Sequence, residues 1–354
     1  MTASESFTET KQREQDSILE VRNTSVSFDM ERGKSKVLDN ATIDIRRDEI
    51  IGIVGESGSG KSMFASALLD AVVAPGVLTG DITYYPRPGT AVDILDFDRA
   101  ELQQHRWEEI SMVFQGAMSS FNPTMRIRGH FEETLTAHSV DLKTGIERAH
   151  QLLSDLYMTP ERVLDSYPHE LSGGMKQRAL IALSLVLEPK VLVMDEPTAA
   201  LDLLMQRSIL RLLTDIQEKY DITLIFITHD LPLVADLADR LAVMYAFRFV
   251  EVGSTEEILQ SAAHPYARSL LNATPNLNAP IEKMQSIDGS SPDPVKVPPG
   301  CSYHPRCPLA DETCQENDPA YHTITADHQA KCFHWEQSAE VIPFTLDQQE
   351  ESDQ

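Results

Sequence analysis

Two short stretches and one late cluster hold the residue types from which chemistry can be built. Gly55-Glu56-Ser57-Gly58-Ser59-Gly60-Lys61-Ser62 fits G-x-x-x-x-G-K-[ST], after the apolar run IIGIV and before the helix-like SMFASALLDAV. Glycines in such a loop let successive backbone N–H groups face one anion, and a following helix adds the positive end of its dipole. Lys61 would then reach β- and γ-phosphates while the Ser62 hydroxyl binds Mg²⁺. A strand-to-helix turn alone would share the glycines but not all four fixed positions, so a nucleoside triphosphate site is the expectation. VLVMDEP places Asp195 and Glu196 at the end of a buried strand. There Asp195 would hold Mg²⁺ through water and Glu196 would polarise an attacking water as general base. The chain's four cysteines, Cys301, Cys307, Cys314 and Cys332, all lie within its last sixth. That clustering argues for one local site rather than a disulfide framework spread over a fold.

The elements that must position these groups follow from hydrophobic period. Ile18–Phe28 alternates like an exposed-edge strand, DMERGKSK reads as a turn, and ATIDI and IIGIV read as strands. From about Asp96 to Leu187 the period is mostly 3.6, broken at Asn122-Pro123, Pro160 and Pro168, which predicts a helical insertion. VLVMD and TLIFIT then alternate with helical patterns near Leu203–Tyr220 and Leu231–Leu237. Strands alternating with helices imply a mainly parallel sheet covered by helices on both faces. Ala279–Gly300, rich in Pro, Ser, Gly and Asp, reads as a linker into the cysteine segment.

Charge bounds the partners. The 354 residues carry 30 Lys+Arg against 55 Asp+Glu, a net charge of −25, with 42% hydrophobic content sufficient for a core. Residues 1–16, read as a disordered acidic tail, and 336–354, read as a solvated acidic tail, supply −8 of it, so the body keeps −17. Such a surface repels phosphate backbones and disfavours nucleic acid as a partner. Only 11 of the 30 basic residues are lysine, a composition that suits a halophile, where molar salt cuts the screening length to about 3 Å. The N-terminus has no apolar core of a secretory signal, and no run reaches the roughly 18 apolar residues of a membrane span, so a soluble protein is expected.

Between the two phosphate-site stretches lies Leu171-Ser172-Gly173-Gly174-Met175, ahead of a helix pattern. In this order the set resembles the motifs of ABC-type ATPases over about residues 18–265. Gln115 in VFQ resembles the Q-loop glutamine, Asp202 ending TAALD the D-loop, and His229 in ITHD the switch histidine. The resemblance implies a P-loop NTPase α/β fold with a RecA-like core, a mixed sheet and a helical subdomain insertion. The expected divisions are an ATPase domain over 17–265 (helical subdomain about 96–187), an extension over 266–335 and the tail beyond. It also implies that ATP lies between the P-loop of one domain and the Ser172-Gly173-Gly174 loop of a second, whose helix N-terminus faces the γ-phosphate. Residues 55–62 and Asp202 would then contact ATP, Ser62, Gln115 and Asp195 would hold Mg²⁺, and His229 would sense the γ-phosphate for hydrolysis by Glu196. Phe28 is the candidate to stack on adenine, with an inward core residue at a strand end as the alternative.

Three local features resemble the dipeptide/oligopeptide (nickel) importer branch: FQGAMSSFNP at 114–123, YPHELSGGMKQR at 167–178, and His264-Pro265-Tyr266 followed by SLL. Cys301-x5-Cys307-x6-Cys314-x17-Cys332 resembles the segment that binds a [4Fe–4S] cluster in some members of that branch. Zinc is the rival, since His304, His322, His328 and His334 are near, although the C-x2–4-C knuckle is absent. Disulfides or free thiols remain a third reading, the former disfavoured by a cytosolic setting. The partners implied are two integral-membrane permease subunits, a second ATPase subunit (paralogue or identical chain) and, indirectly, an extracytoplasmic solute-binding protein. The location implied is the cytoplasmic face of the cell membrane, with the chain peripheral to it. A soluble ABC ATPase acting in DNA repair or translation, and an exporter ATPase, are the competing functions. Gly116, where the branch usually has aspartate, and Tyr245-Ala246-Phe247-Arg248, where it has a glycine-containing turn, are departures from its pattern.

Overall fold

A computed structural model of the protein describes residues 17–116, 120–199, 201–273 and 287–344. The expected N-terminal tail and the first part of the expected linker lie outside these residues. The strands in chain order are β1 (Ser17–Met30), β2 (Gly33–Arg46), β3 (Ile50–Val54), β4 (Val77–Arg87), β5 (Thr90–Asp93) and β6 (Ile110–Val113), then β7 (Val191–Asp195), β8 (Thr223–Thr228), β9 (Arg240–Tyr245), β10 (Arg248–Ser254), β11 (His322–Thr323) and β12 (Gln329–Ala330). The chain divides into two compact units interleaved in sequence. Of the described residues, the first gathers Ser17–Leu19, Asp44–Ile50 and those within Thr83–Ile227, and the second Glu20–Ile43, Ile51–Ile82 and those from Thr228 onward.

In the first unit β6, β7 and β8 run parallel, with Ile110 opposite Val191 and Val191 opposite Thr223. Every residue of the three strands is buried, which explains why β7 and β8 read as apolar runs rather than alternating ones. Each buried Val, Leu or Ile there contributes about 1.5–3 kcal/mol of transfer free energy. Helices Ile127–Ala137 and Leu142–Asp155 follow the 3.6 period, Pro160–Asp165 is a short turn of helix, Gly173–Leu185 is buried on nearly every side from Ala179 onward, and Leu203–Tyr220 has the predicted bounds. Two of these helices start on an Asp side chain that accepts an orphan amide, Asp141 from Thr144 and Asp202 from Met205, and such caps contribute about 1 kcal/mol each. The insertion read as helical from 96 to 187 also contains β6. Four residues are too few to show a period of two, and only pairing with β7 makes them a strand.

In the second unit β3 pairs parallel with β9, β9 antiparallel with β10, and β10 with β12. With both pairing senses present, the sheet content is mixed. β1 is not an edge strand: the Asn23 amide donates to Thr42 Oγ1 on β2 at 3.0 Å, and the Thr24 hydroxyl to the Asp81 carbonyl on β4 at 3.1 Å. The expected turn DMERGKSK is mostly strand, because β2 starts at Gly33. The C-terminal extension is fastened to this unit by a buried polar knot. The Glu251 carboxylate, wholly buried on β10, accepts from the amides of Ala263 and His264 and lies 2.7 Å from His328 Nε2. Burying the carboxylate is tolerable because each donor replaces a lost water. The segment expected to be a solvated tail from 336 begins instead with the helical turn Ser338–Val341. Phe344 is buried there under the Arg268 guanidinium, 3.8 Å from the ring centre. Among the described residues no helix is long and apolar enough to cross a membrane.

Candidate functional site

The phosphate loop belongs to the second unit. β3 ends at Val54, and helix Lys61–Leu68 starts immediately after Gly60. Gly55 passes so close to the Met244 carbonyl that a Cβ would lie 2.2 Å from it. Gly58 has φ +79°, which disfavours any side chain, and nothing lies within 4 Å of where its Cβ would be. Open space therefore borders the loop at Gly58, whereas the Glu56 and Ser59 amides already donate, to the Tyr266 hydroxyl and the Glu56 carbonyl. Lys61 is 5% exposed, and its Nζ donates to the carbonyls of Gly55 at 2.8 Å and Glu56 at 3.0 Å. The lysine thus holds the loop's own turn, with Ser59 buried beneath it and Ser57 and Ser62 exposed. The Tyr245–Arg248 departure also sits here. Ala246 and Phe247 take φ +47° and +72° in the turn from β9 to β10, and the Phe247 amide donates to the Ser59 carbonyl at 2.9 Å.

Two neighbours of this loop were not marked by the sequence as touching it. The Glu56 amide donates to the Tyr266 hydroxyl oxygen at 2.9 Å, and Arg306 grips the Glu56 carboxylate with Nη1 at 2.8 Å and Nη2 at 3.1 Å. Tyr266 stood out only as part of the His264-Pro265-Tyr266 element. Arg306 carried no signal beyond its place between two cysteines. Phe28 is half-buried on β1 with its ring edge over Gly76, where a Cβ would lie 2.7 Å from Cζ. His229 is exposed just after β8, and Asp230 caps helix Leu231–Ala235, which is shorter than the predicted 231–237.

The first unit carries the carboxylates. Asp195 is 3% exposed at the end of β7. Glu196 leaves the strand at φ +47°, its amide bonded to the Ile227 carbonyl on β8. That unusual backbone angle turns its side chain to Gln115, whose Nε2 donates to the Glu196 carboxylate at 2.9 Å. Two residues 81 positions apart, both singled out from the sequence, are brought together. In the same unit Ser172 caps helix Gly173–Leu185 by accepting from the Met175 amide, and Ser172 and Gly173 are exposed. Gly174 is not: a Cβ there would meet Met205 Cε at 1.9 Å, so this glycine serves packing against helix Leu203–Tyr220. Asp202 caps that helix with its side chain.

The four cysteines are unpaired thiols within one segment of the second unit. Burial raises the pKa of all four, Cys307 to about 11 and Cys332 to about 12, and each is raised further by negative charge on cysteine or aspartate neighbours. Backbone amides oppose this: Tyr303 and His304 donate toward Cys301, Leu309 and Ala310 toward Cys307, and His334 donates to Cys332 Sγ at 3.3 Å. Among the described residues the Asp311 carboxylate, Cys314 thiol and His334 ring lie within 4.8 Å of one another, while no three of the cysteine sulfurs do.

Known proteins resemble this chain over most of its length. A family model described as ABC transporter matches residues 38–199, and one described as the oligopeptide/dipeptide transporter C-terminal region matches 250–314, which includes three of the four cysteines. The dipeptide transport ATP-binding protein DppD of Caldanaerobacter subterraneus subsp. tengcongensis is 40% identical over 323 residues, 90% of this chain and 98% of the relative. The oligopeptide transport ATP-binding protein OppD of Escherichia coli is 39% identical over 310 residues, 87% of this chain and 90% of the relative. Among solved structures, cbiO1 from Clostridium perfringens, part of the ABC transporter complex cbiONQ, aligns with TM-score 0.57 at 27% identity, over 73% of this chain and 95% of its own. A dimeric bacterial ABC transporter cassette aligns with TM-score 0.58 at 25% identity, over 67% and 98%.

Proposed function

The chain belongs to the ATP-binding subunits of the dipeptide/oligopeptide ABC importers, and from that premise we propose how its own residues divide the work of coupling ATP hydrolysis to import. Residues 55–62 bind the triphosphate of ATP, with Lys61 exchanging its carbonyl partners for phosphate oxygens. Ser62, Gln115 and Asp195 offer hydroxyl, amide and carboxylate oxygens, the hard donors Mg²⁺ prefers. When bound, the ion offsets charge on the β- and γ-phosphate oxygens. Glu196 takes the proton of the attacking water, Gln115 orients the Glu196 carboxylate, and His229 senses the γ-phosphate. Ser172 and Gly173, exposed at a helix N-terminus, reach the ATP of a second ATPase subunit, and Asp202 joins them in contacting ATP. Gly174 serves behind them as a spacer. Phe28 stacks on adenine with the part of its ring that Gly76 leaves uncovered.

The observation that carries this reading is the Gln115–Glu196 hydrogen bond beside the buried Asp195. Glu196→Gln tests it. The variant should bind ATP, lose turnover by at least about 100-fold, the scale of a general base, and accumulate as a nucleotide-bound dimer on size exclusion. Unchanged hydrolysis would remove Glu196 from the role. The transported solute is a di- or oligopeptide, two membrane permeases and an extracytoplasmic binding protein complete the importer, and the chain sits at the cytoplasmic face. Co-purification with permease subunits supports this assembly; ribosomes or DNA instead would restore a soluble ATPase, and export of the solute an exporter.

For the cysteines we propose a [4Fe–4S] cluster held by Cys301, Cys307, Cys314 and Cys332. Four cysteines in one segment, with no others in the chain, would supply the four thiolates that such a cluster takes. When bound, the cluster supplies a structural or redox-sensing centre, since no step of ATP hydrolysis transfers an electron. The Asp311–Cys314–His334 triad favours zinc as the second reading.

A further inference from the structure

Glu56 is an anion built into a loop that must receive a more highly charged anion. It is held at three points. Its amide meets Tyr266, its carbonyl meets Lys61 Nζ, and its carboxylate meets both Nη atoms of Arg306 and, at 3.3 Å, the Ser291 hydroxyl. Arg306 is itself fixed: Nε donates to the Asp288 carbonyl at 2.6 Å, and the rings of Tyr245 and Tyr303 flank the guanidinium at 5.7 and 5.9 Å. Its side chain is only 6% exposed, against 25% for Glu56. A two-pronged pair with the cation this buried is specific in geometry and little screened by solvent. Tyr303 and Arg306 both come from the short loop between Cys301 and Cys307.

We propose that Arg306 is a positioning residue for ATP binding, which neutralises Glu56 and fixes the first turn of the phosphate loop, so that the Cys301–Cys307 loop forms part of the nucleotide site. Lys61 supplies attraction, whereas Arg306 removes the repulsion that a bare Glu56 carboxylate would exert on the triphosphate. The proposal rests on the assignment of residues 55–62 to ATP, and Lys61→Ala tests that assignment separately.

The test is titration of the full-length protein with a fluorescent ATP analogue, with the melting temperature of each variant recorded without nucleotide. Arg306→Ala should raise Kd about tenfold, as expected for exposing one charge beside the phosphates. Adding Glu56→Gln to Arg306→Ala should recover most of that loss, because the repelling charge is gone. Wild-type affinity in Arg306→Ala would overturn the proposal. A double variant as weak as Arg306→Ala alone would also overturn it, since it would make Arg306 merely structural. Should Arg306→Ala not fold, Arg306→Lys and Arg306→Gln carry the comparison: the lysine variant should bind ATP more tightly, and equal weakening refutes the electrostatic role. If Lys61→Ala binds as wild type does, the ATP assignment fails instead, whatever the Arg306 variants do.

Discussion

His264 offers a test of how burial shapes this protein's stability. It caps helix Pro265–Asn272, accepting the Tyr266 amide at Nδ1 over 3.0 Å, and is 1% exposed. Burial pushes its pKa down from 6.5 to about 3. The unfolded chain binds a proton here below about pH 6.5, while the folded chain stays unprotonated down to about pH 3. In that window the unfolded state holds more protons, so stability falls as pH falls and is unaffected above it. One pH unit corresponds to about 1.4 kcal/mol per proton, so acidifying from about pH 6.5 to about pH 5 costs about 2 kcal/mol at this residue. His264→Asn keeps an acceptor suited to an N-cap and removes the titration. Urea unfolding of the full chain, followed by far-ultraviolet circular dichroism in half-unit steps from about pH 7.5 to about pH 5, reads the difference. Wild type should lose about 2 kcal/mol more than His264→Asn over that range. His105, pushed down to about 4 by burial, is common to both proteins and cancels. Parallel pH profiles, or an imidazole of His264 that titrates near 6.5 by NMR, would refute the reasoning.

Other consequences are as direct. Lys61→Ala should abolish tight ATP binding, since it removes both the phosphate contact proposed for it and the side chain that closes the loop on Gly55 and Glu56; a Kd within threefold of wild type, by the same fluorescent titration, would contradict this. Gly174→Val should destabilise the folded chain by about 1–3 kcal/mol through overpacking against Met205, seen as a lower urea midpoint, and an unchanged midpoint would show that the helices part easily. Anaerobically purified protein should be brown and carry about four irons per chain, whereas a colourless protein with zinc would assign the metal to Asp311, Cys314 and His334.

The sequence alone determined the phosphate loop, the acidic strand end and the order of elements around them. Each is written in adjacent residues: Gly55–Ser62 as one loop, Val191–Glu196 as one strand and its exit, Thr223–Thr228 as one apolar run. Local patterns of this kind survive because backbone geometry and burial impose them residue by residue. Only the tertiary structure decided what depends on neighbours far along the chain. β6 is a strand because β7 lies beside it, β1 lies inside a sheet rather than at its edge, and residues 338–344 are fixed by Arg268 rather than dissolved as a tail. The same holds at the site. Gln115 meets Glu196 because parallel β6 and β7 end side by side, Gly174 faces Met205 rather than a ligand, and Arg306 reaches Glu56 across 250 residues. A side chain's chemical type is carried by its codon, but the charge it must neutralise is set by whichever part of the fold arrives next to it.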